Sequence, residues 1–167
     1  MHVRALIFGA LVVGPLSYGL WRLILDDAGI FFWLDSPPEV FLGGLFALML
    51  SHELCHVLLH PKFGFSANSI VGFDRRSFLA FATYSGNISR NRFVAMALAP
   101  LFFISVVPFV LGSIYREYAH FVASISLFNA VISAGDIMIL WRCLRILPRH
   151  GLVDGTYFGL PPDPAAS

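Results

Sequence analysis

Four stretches of this chain stay apolar for as long as a helix needs to cross a bilayer, and nothing else in the sequence restricts the fold so strongly. Ala5 to Leu25 carries one charge, Arg22; Val40 to Leu59 carries Glu53 and two histidines; Phe93 to Ile114 carries none; Phe121 to Leu140 carries Asp136. Each reaches the ~20 residues that ~30 Å of hydrocarbon asks of a helix. Only 13% of the 167 residues are charged and 57% are hydrophobic, with a mean hydropathy of +0.77, whereas soluble domains carry roughly 25% charged residues. A net charge of +1 with no run of either sign excludes the basic footprint of a nucleic-acid binder. The expected solvent is the lipid bilayer. His2 and Arg4 before an apolar run also suit a signal peptide, but no A-x-A site follows and the run continues through Pro15, so the first stretch reads as a retained span.

Arginine placement orients the spans. With the N-terminus and C-terminus cytosolic, the inside receives Arg4, Lys62, Arg75, Arg76, Arg90, Arg92, Arg142, Arg145 and Arg149, and the outside only Arg22 and Arg116. That asymmetry predicts an N-in, C-in topology. Trp21 and Trp33 then fall near the outer interface and Trp141 near the inner one, where indoles prefer to lie.

The connections differ in character. Asp26 to Pro38 contains the apolar segment Gly29 to Leu34, too short to span, and is expected on or in the outer leaflet. Lys62 to Arg92 holds two β-prone runs, Ser69 to Phe73 and Phe78 to Tyr84, around Asp74-Arg-Arg-Ser77, which predicts a hairpin at the cytosolic surface. Asn91 is the expected N-cap of the third span. The fold class is therefore an all-α polytopic membrane protein of about four transmembrane helices, with a small cytosolic β-hairpin between the second and third. Residues 1–147 form one integral membrane domain, and 148–167, with four prolines, an irregular cytosolic tail.

Chemistry concentrates in His52-Glu53-Leu54-Cys55-His56. On a helix, positions i and i+4 share a face, so His52 and His56 can offer two imidazole nitrogens to one zinc while Glu53 reaches a water there as general base. With six His in the chain, chance would produce about 0.004 such H-E-x-x-H matches. Ionisable groups inside a span usually mark a site. A catalytic zinc wants a third protein ligand. His60 lies ~12 Å along the axis from His52, too far to share the ion, and is expected to cap the span at the cytosolic interface. Asp136 is the better third ligand: it lies ~13 Å before Arg145, in the same cytosol-proximal layer as the histidines.

A HExxH in an apolar span, a loop with short strands, a span opening with Ala97-Leu-Ala-Pro100, and a later span with Asn129 and Ser133-Ala-Gly-Asp136 resemble the site-2 protease group of intramembrane zinc metalloproteases. Within that group the chain is most similar to a small bacterial family of zincin peptidases, over roughly residues 40 to 145. The resemblance implies proteolysis of a membrane-anchored protein substrate. Asn129 lies two turns from Asp136 on the same face, where its amide can bind substrate backbone or the oxyanion, or simply bond a neighbouring helix. Cys55 and Cys143 receive neither a disulfide nor a redox role. The sequence leaves the oligomeric state open. Two rivals remain: a non-hydrolytic metal-binding membrane protein, such as a transporter subunit or sensor, with Glu53 as a fourth ligand, and an inactive scaffold.

Overall fold

The computed structural model describes residues 2–26, 30, 32–75, 79–155 and 157–159. Helices α1 (His2–Phe8) and α2 (Gly14–Trp21) are joined by a π-helical turn, Gly9–Val13; α3 covers Pro38–Leu58. Strands β1 (Ser69–Asp74), β2 (Leu79–Tyr84) and β3 (Asn87–Ser89) follow. Helix α4 (Arg90–Pro100) runs through a second π-helical stretch, Leu101–Val106, into α5 (Val107–Ile114). Then come α6 (Ala119–Ile132), α7 (Ala134–Ile146), β4 (Leu152–Asp154) and β5 (Tyr157–Gly159). Among the described residues, three helical stretches are long and apolar enough to cross a membrane, Arg4–Trp21, Pro38–Leu58 and Arg90–Ile114, and a fourth if Arg116–Ile132 and Ala134–Ile146 count as one.

The fourth stretch is thus not the continuous helix its hydropathy suggests. It breaks at Ser133, whose N–H still reaches Asn129 O at 2.8 Å while Gly135 two residues on weakens helical continuation. Because a new helix starts at Ala134, Asp136 falls in its first turn, where the unsatisfied N–H groups and the helix dipole favour a negative charge.

The chain divides into two units, Met1–His52 with Pro100–Gly135, and Glu53–Ala99 with Asp136–Ser167. In the first, Trp21 is 1% exposed, in a core with Ile30, Ala119, Ala123 and Leu127. Its ring is thus packed inside the protein. Small neighbours make the slot: a Cβ on Gly112 would meet the Trp21 ring at 2.9 Å, and Phe109 packs edge-on to it at 5.3 Å between centroids. The indole N–H is satisfied by Ser126 Oγ at 3.1 Å, as a buried Trp requires. Within the Asp26–Pro38 connection, Trp33 packs onto the same unit. Trp33 lies against Phe41 and Phe128, its N–H donates to Ser124 Oγ, and its ring occupies the space a side chain on Gly44 would need. Residues 27–29 and 31 of that connection lie outside the described residues.

In the second unit, β1 and β2 form the expected antiparallel hairpin, Ser69 opposite Tyr84 and Asp74 opposite Leu79; residues 76–78 of its turn lie outside the described residues. The segment after Pro148 departs from expectation. Instead of an irregular tail, β4 and β5 complete an antiparallel sheet in the order β3-β4-β5. The reason is apolar burial: Val153 joins Ile88, Met96, Cys143 and Leu147 in one core. Residues 160–167 lie outside the described residues. Helix α4 starts at Arg90, and its cap is Ser89 rather than Asn91, the Ser89 Oγ accepting from the N–H of Arg92 at 3.4 Å. The Arg92 guanidinium donates to Leu59 O and His60 O at 3.1 and 3.3 Å, which satisfies carbonyls left open where α3 ends.

Candidate metal centre

Helix α3 sorts its side chains by the helical period. Leu42, Phe46, Leu50, Leu54 and Leu58 form an exposed row, while Leu48, His52 and His56 form a buried one. Both rows step by four residues and stand two residues apart, hence on opposite sides of the helix. The apolar row suits lipid, and the histidine row faces inward.

His52 and His56 stand one turn apart on one unbroken helix, so their spacing belongs to that helix alone. Asp136 is placed by its pair with His56, Oδ1 lying 3.5 Å from Nε2. One ligand atom from each of His52, His56 and Asp136 lies within 4.8 Å of the other two. Tetrahedral zinc with bonds of ~2.1 Å separates neighbouring ligand atoms by ~3.4 Å, so the pair is already at ligand spacing. Two imidazoles and one carboxylate are also the donor set of catalytic zinc sites with an open fourth position. The three residues fit the ion.

Hydrogen bonds on the far side of each ring fix which nitrogen is presented. His56 Nδ1 donates to Met96 O at 2.8 Å; a carbonyl only accepts, so the proton sits on Nδ1 and the lone pair on Nε2. His52 Nδ1 lies 3.0 Å from Asn129 Oδ1. The amide is oriented without ambiguity because its Nδ2 donates to Pro100 O at 2.9 Å and to Ser105 Oγ at 2.8 Å. Oδ1 therefore faces His52, and that ring too carries its proton on Nδ1. Such outer partners raise ligand basicity and hold the ring plane.

Asn129 is thus fully buried with both amide hydrogens engaged and its oxygen turned to His52. Ser105 continues the network: its Oγ donates to Ser126 O at 2.9 Å, and Ser126 Oγ returns a bond to Ser105 O at 3.2 Å. Glu53, next to His52 on α3, is half-buried. Cys55 and Cys143 are free thiols.

His60, expected to cap the span, bonds instead to a residue outside α3. It is 1% exposed, with Nδ1 3.0 Å from Ser69 Oγ and its ring edge-on to Tyr84. Burial, with His56 and Arg92 nearby, holds its pKa below the ordinary histidine value. Sequence reasoning missed Met96 and Ser105, and it noted Pro100 only within Ala97-Leu-Ala-Pro100, without a role. For Pro100 a signal existed, since a proline inside an apolar helix always leaves a carbonyl four residues earlier without its helical donor.

Residues 45–149 match the family described as "Putative zincin peptidase". That is most of the chain, and the chain belongs to this family, which implies zinc as the metal for His52, His56 and Asp136. No curated protein and no solved structure matches the chain.

Proposed function

We propose that this protein is a zinc-dependent intramembrane endopeptidase of site-2 protease type, cleaving a membrane-anchored protein substrate in or next to its membrane segment in a bacterial cytoplasmic membrane, with both termini cytosolic. The observation that carries this reading is the convergence of His52, His56 and Asp136 on the buried side of a 21-residue apolar helix whose other side is lined by exposed leucines and Phe46. Bound zinc would polarise a carbonyl and acidify a water. The chain's own residues do the rest. His52 and His56 hold the donor geometry through their Nδ1 bonds, Asp136 supplies the anionic ligand, and Glu53 takes a proton from water at its carboxylate and returns it to the leaving amine. We assign Asn129 to the support of His52, in place of a substrate or oxyanion contact.

A substrate helix hides its carbonyls in hydrogen bonds and must unwind before attack. The hairpin of β1 and β2 is a two-stranded sheet, and an unwound segment can add to such an edge as a further strand. The decisive experiment incubates purified protein and its Glu53→Gln variant with single-span membrane substrates. Cleavage by the wild type, lost in Glu53→Gln with zinc retained, supports the reading. Cleavage that survives the substitution removes Glu53 as the base, and zinc bound without cleavage of any membrane substrate favours the non-hydrolytic alternative.

A further inference from the structure

Both histidine tautomers trace back to one residue. Pro100 closes α4 with helical dihedrals, φ −61° and ψ −43°. It has no N–H, so Met96 O, four residues earlier, receives no helical bond from position 100. That carbonyl is the acceptor of His56 Nδ1. Directly after Pro100 the chain enters the π-helical stretch Leu101–Val106, in which carbonyls pair one residue further on than in an α-helix, as Val107 N–H does with Phe102 O. Pro100 O, at the junction of the two registers, accepts from Asn129 Nδ2 and so turns Asn129 Oδ1 toward His52.

We infer that Pro100 is a positioning residue for the metal centre: its missing N–H frees the carbonyl that fixes His56, and its own carbonyl orients the amide that fixes His52. Proline in a helix interior is otherwise a pure liability for helix stability. Here it supplies two acceptors that a regular helix would keep for itself. The inference rests on the zinc reading for its affinity consequence only, since the tautomers exist in the metal-free protein.

The test uses the full chain in detergent, with histidine side chains labelled with nitrogen-15, and compares Pro100→Ala and Asn129→Leu with the wild type. Alanine restores the N–H at position 100, which competes with His56 for Met96 O. The nitrogen shifts of the metal-free protein should then show His56 leaving the Nδ1–H form in Pro100→Ala while His52 keeps it; Asn129→Leu should do the reverse. Zinc affinity, measured by competition with a chelator, should fall about 10- to 100-fold in each, the range for outer partners of a ligand. Thermal stability of the metal-free Pro100→Ala protein should hold or rise. Unchanged tautomers in Pro100→Ala overturn the inference, as does an affinity loss accompanied by loss of metal-free stability, which marks general damage. A wild type that binds no zinc would sink the zinc reading and leave the nitrogen shifts to decide the role of Pro100.

Discussion

Asp136 Oδ1 stands 3.5 Å from His56 Nε2, and it does so from the first turn of a helix that begins only two residues earlier. The break at Ser133 places this carboxylate at a new helical amino end, where the helix dipole favours a negative charge.

Zinc content should therefore fall most on removing either histidine and less on removing the carboxylate. His52→Ala and His56→Ala are expected to lose more than the 10- to 100-fold typical of outer-partner changes, because each removes a ligand atom outright. Asp136→Ala keeps two imidazoles and should lose less. Metal analysis of the purified variants decides it, and zinc unchanged in Asp136→Ala takes that residue out of the site.

Reporters at Ser36 and Arg75 should lie on opposite sides of the membrane, Ser36 outside. Nine of the eleven basic residues fall in segments that the positive-inside rule places in the cytosol. Single-cysteine accessibility in intact cells measures this. A cytosolic Ser36 would invert the whole arrangement and move the metal layer toward the outer leaflet.

Acid should destabilise the fold partly through His60. Its pKa is depressed in the folded chain, so as the pH drops the unfolded chain takes up a proton first, near pH ~6.5. Stability from keeping His60 neutral is complete above that pH and is lost as pH falls toward the folded value. Thermal unfolding of the wild type and His60→Gln between pH 8 and 5 should show a shallower acid decline in the variant. Identical slopes would mean that other groups carry the acid response.

Cleavage should fall in the cytosolic half of a substrate span and quicken with helix breakers there. His52 and His56 lie ~3 to 9 Å from the last helical residue of α3, Leu58, and glycine or proline lowers the cost of unwinding a substrate helix. Product masses from a single-span substrate, with its Gly and Pro replaced by Leu one at a time, test both halves of the statement. Cuts confined to an extramembrane loop and indifferent to those replacements would point to a membrane-tethered endopeptidase.

Periodicity made α3 legible. Its two opposed rows need only the 3.6-residue turn, and the pairing of His52 with His56 follows from spacing alone. Hydropathy located the apolar helices but could not see the break at Ser133, because a window average is blind to a bend at a single residue. Trp21 shows the same limit: its burial depends on the small residues of other helices, Gly112 and Ala119, which nothing in its own segment announces. The supports of the histidines were least visible. Met96 contributes a carbonyl, which every residue has, so its identity carries no signal, and the seat of Asn129 depends on a π-helical register that no local pattern announces.

The sheet order β3-β4-β5 bears on where the catalytic module ends. The family match stops at residue 149, three residues before β4 begins. Yet Val153 is buried with Met96, the residue whose carbonyl steadies His56. A boundary drawn from sequence similarity would sever two of the three strands of that sheet and take Val153 out of the core that holds Met96. Grafts, fusions or truncations of this peptidase should accordingly be cut beyond Gly159, where the last described strand closes.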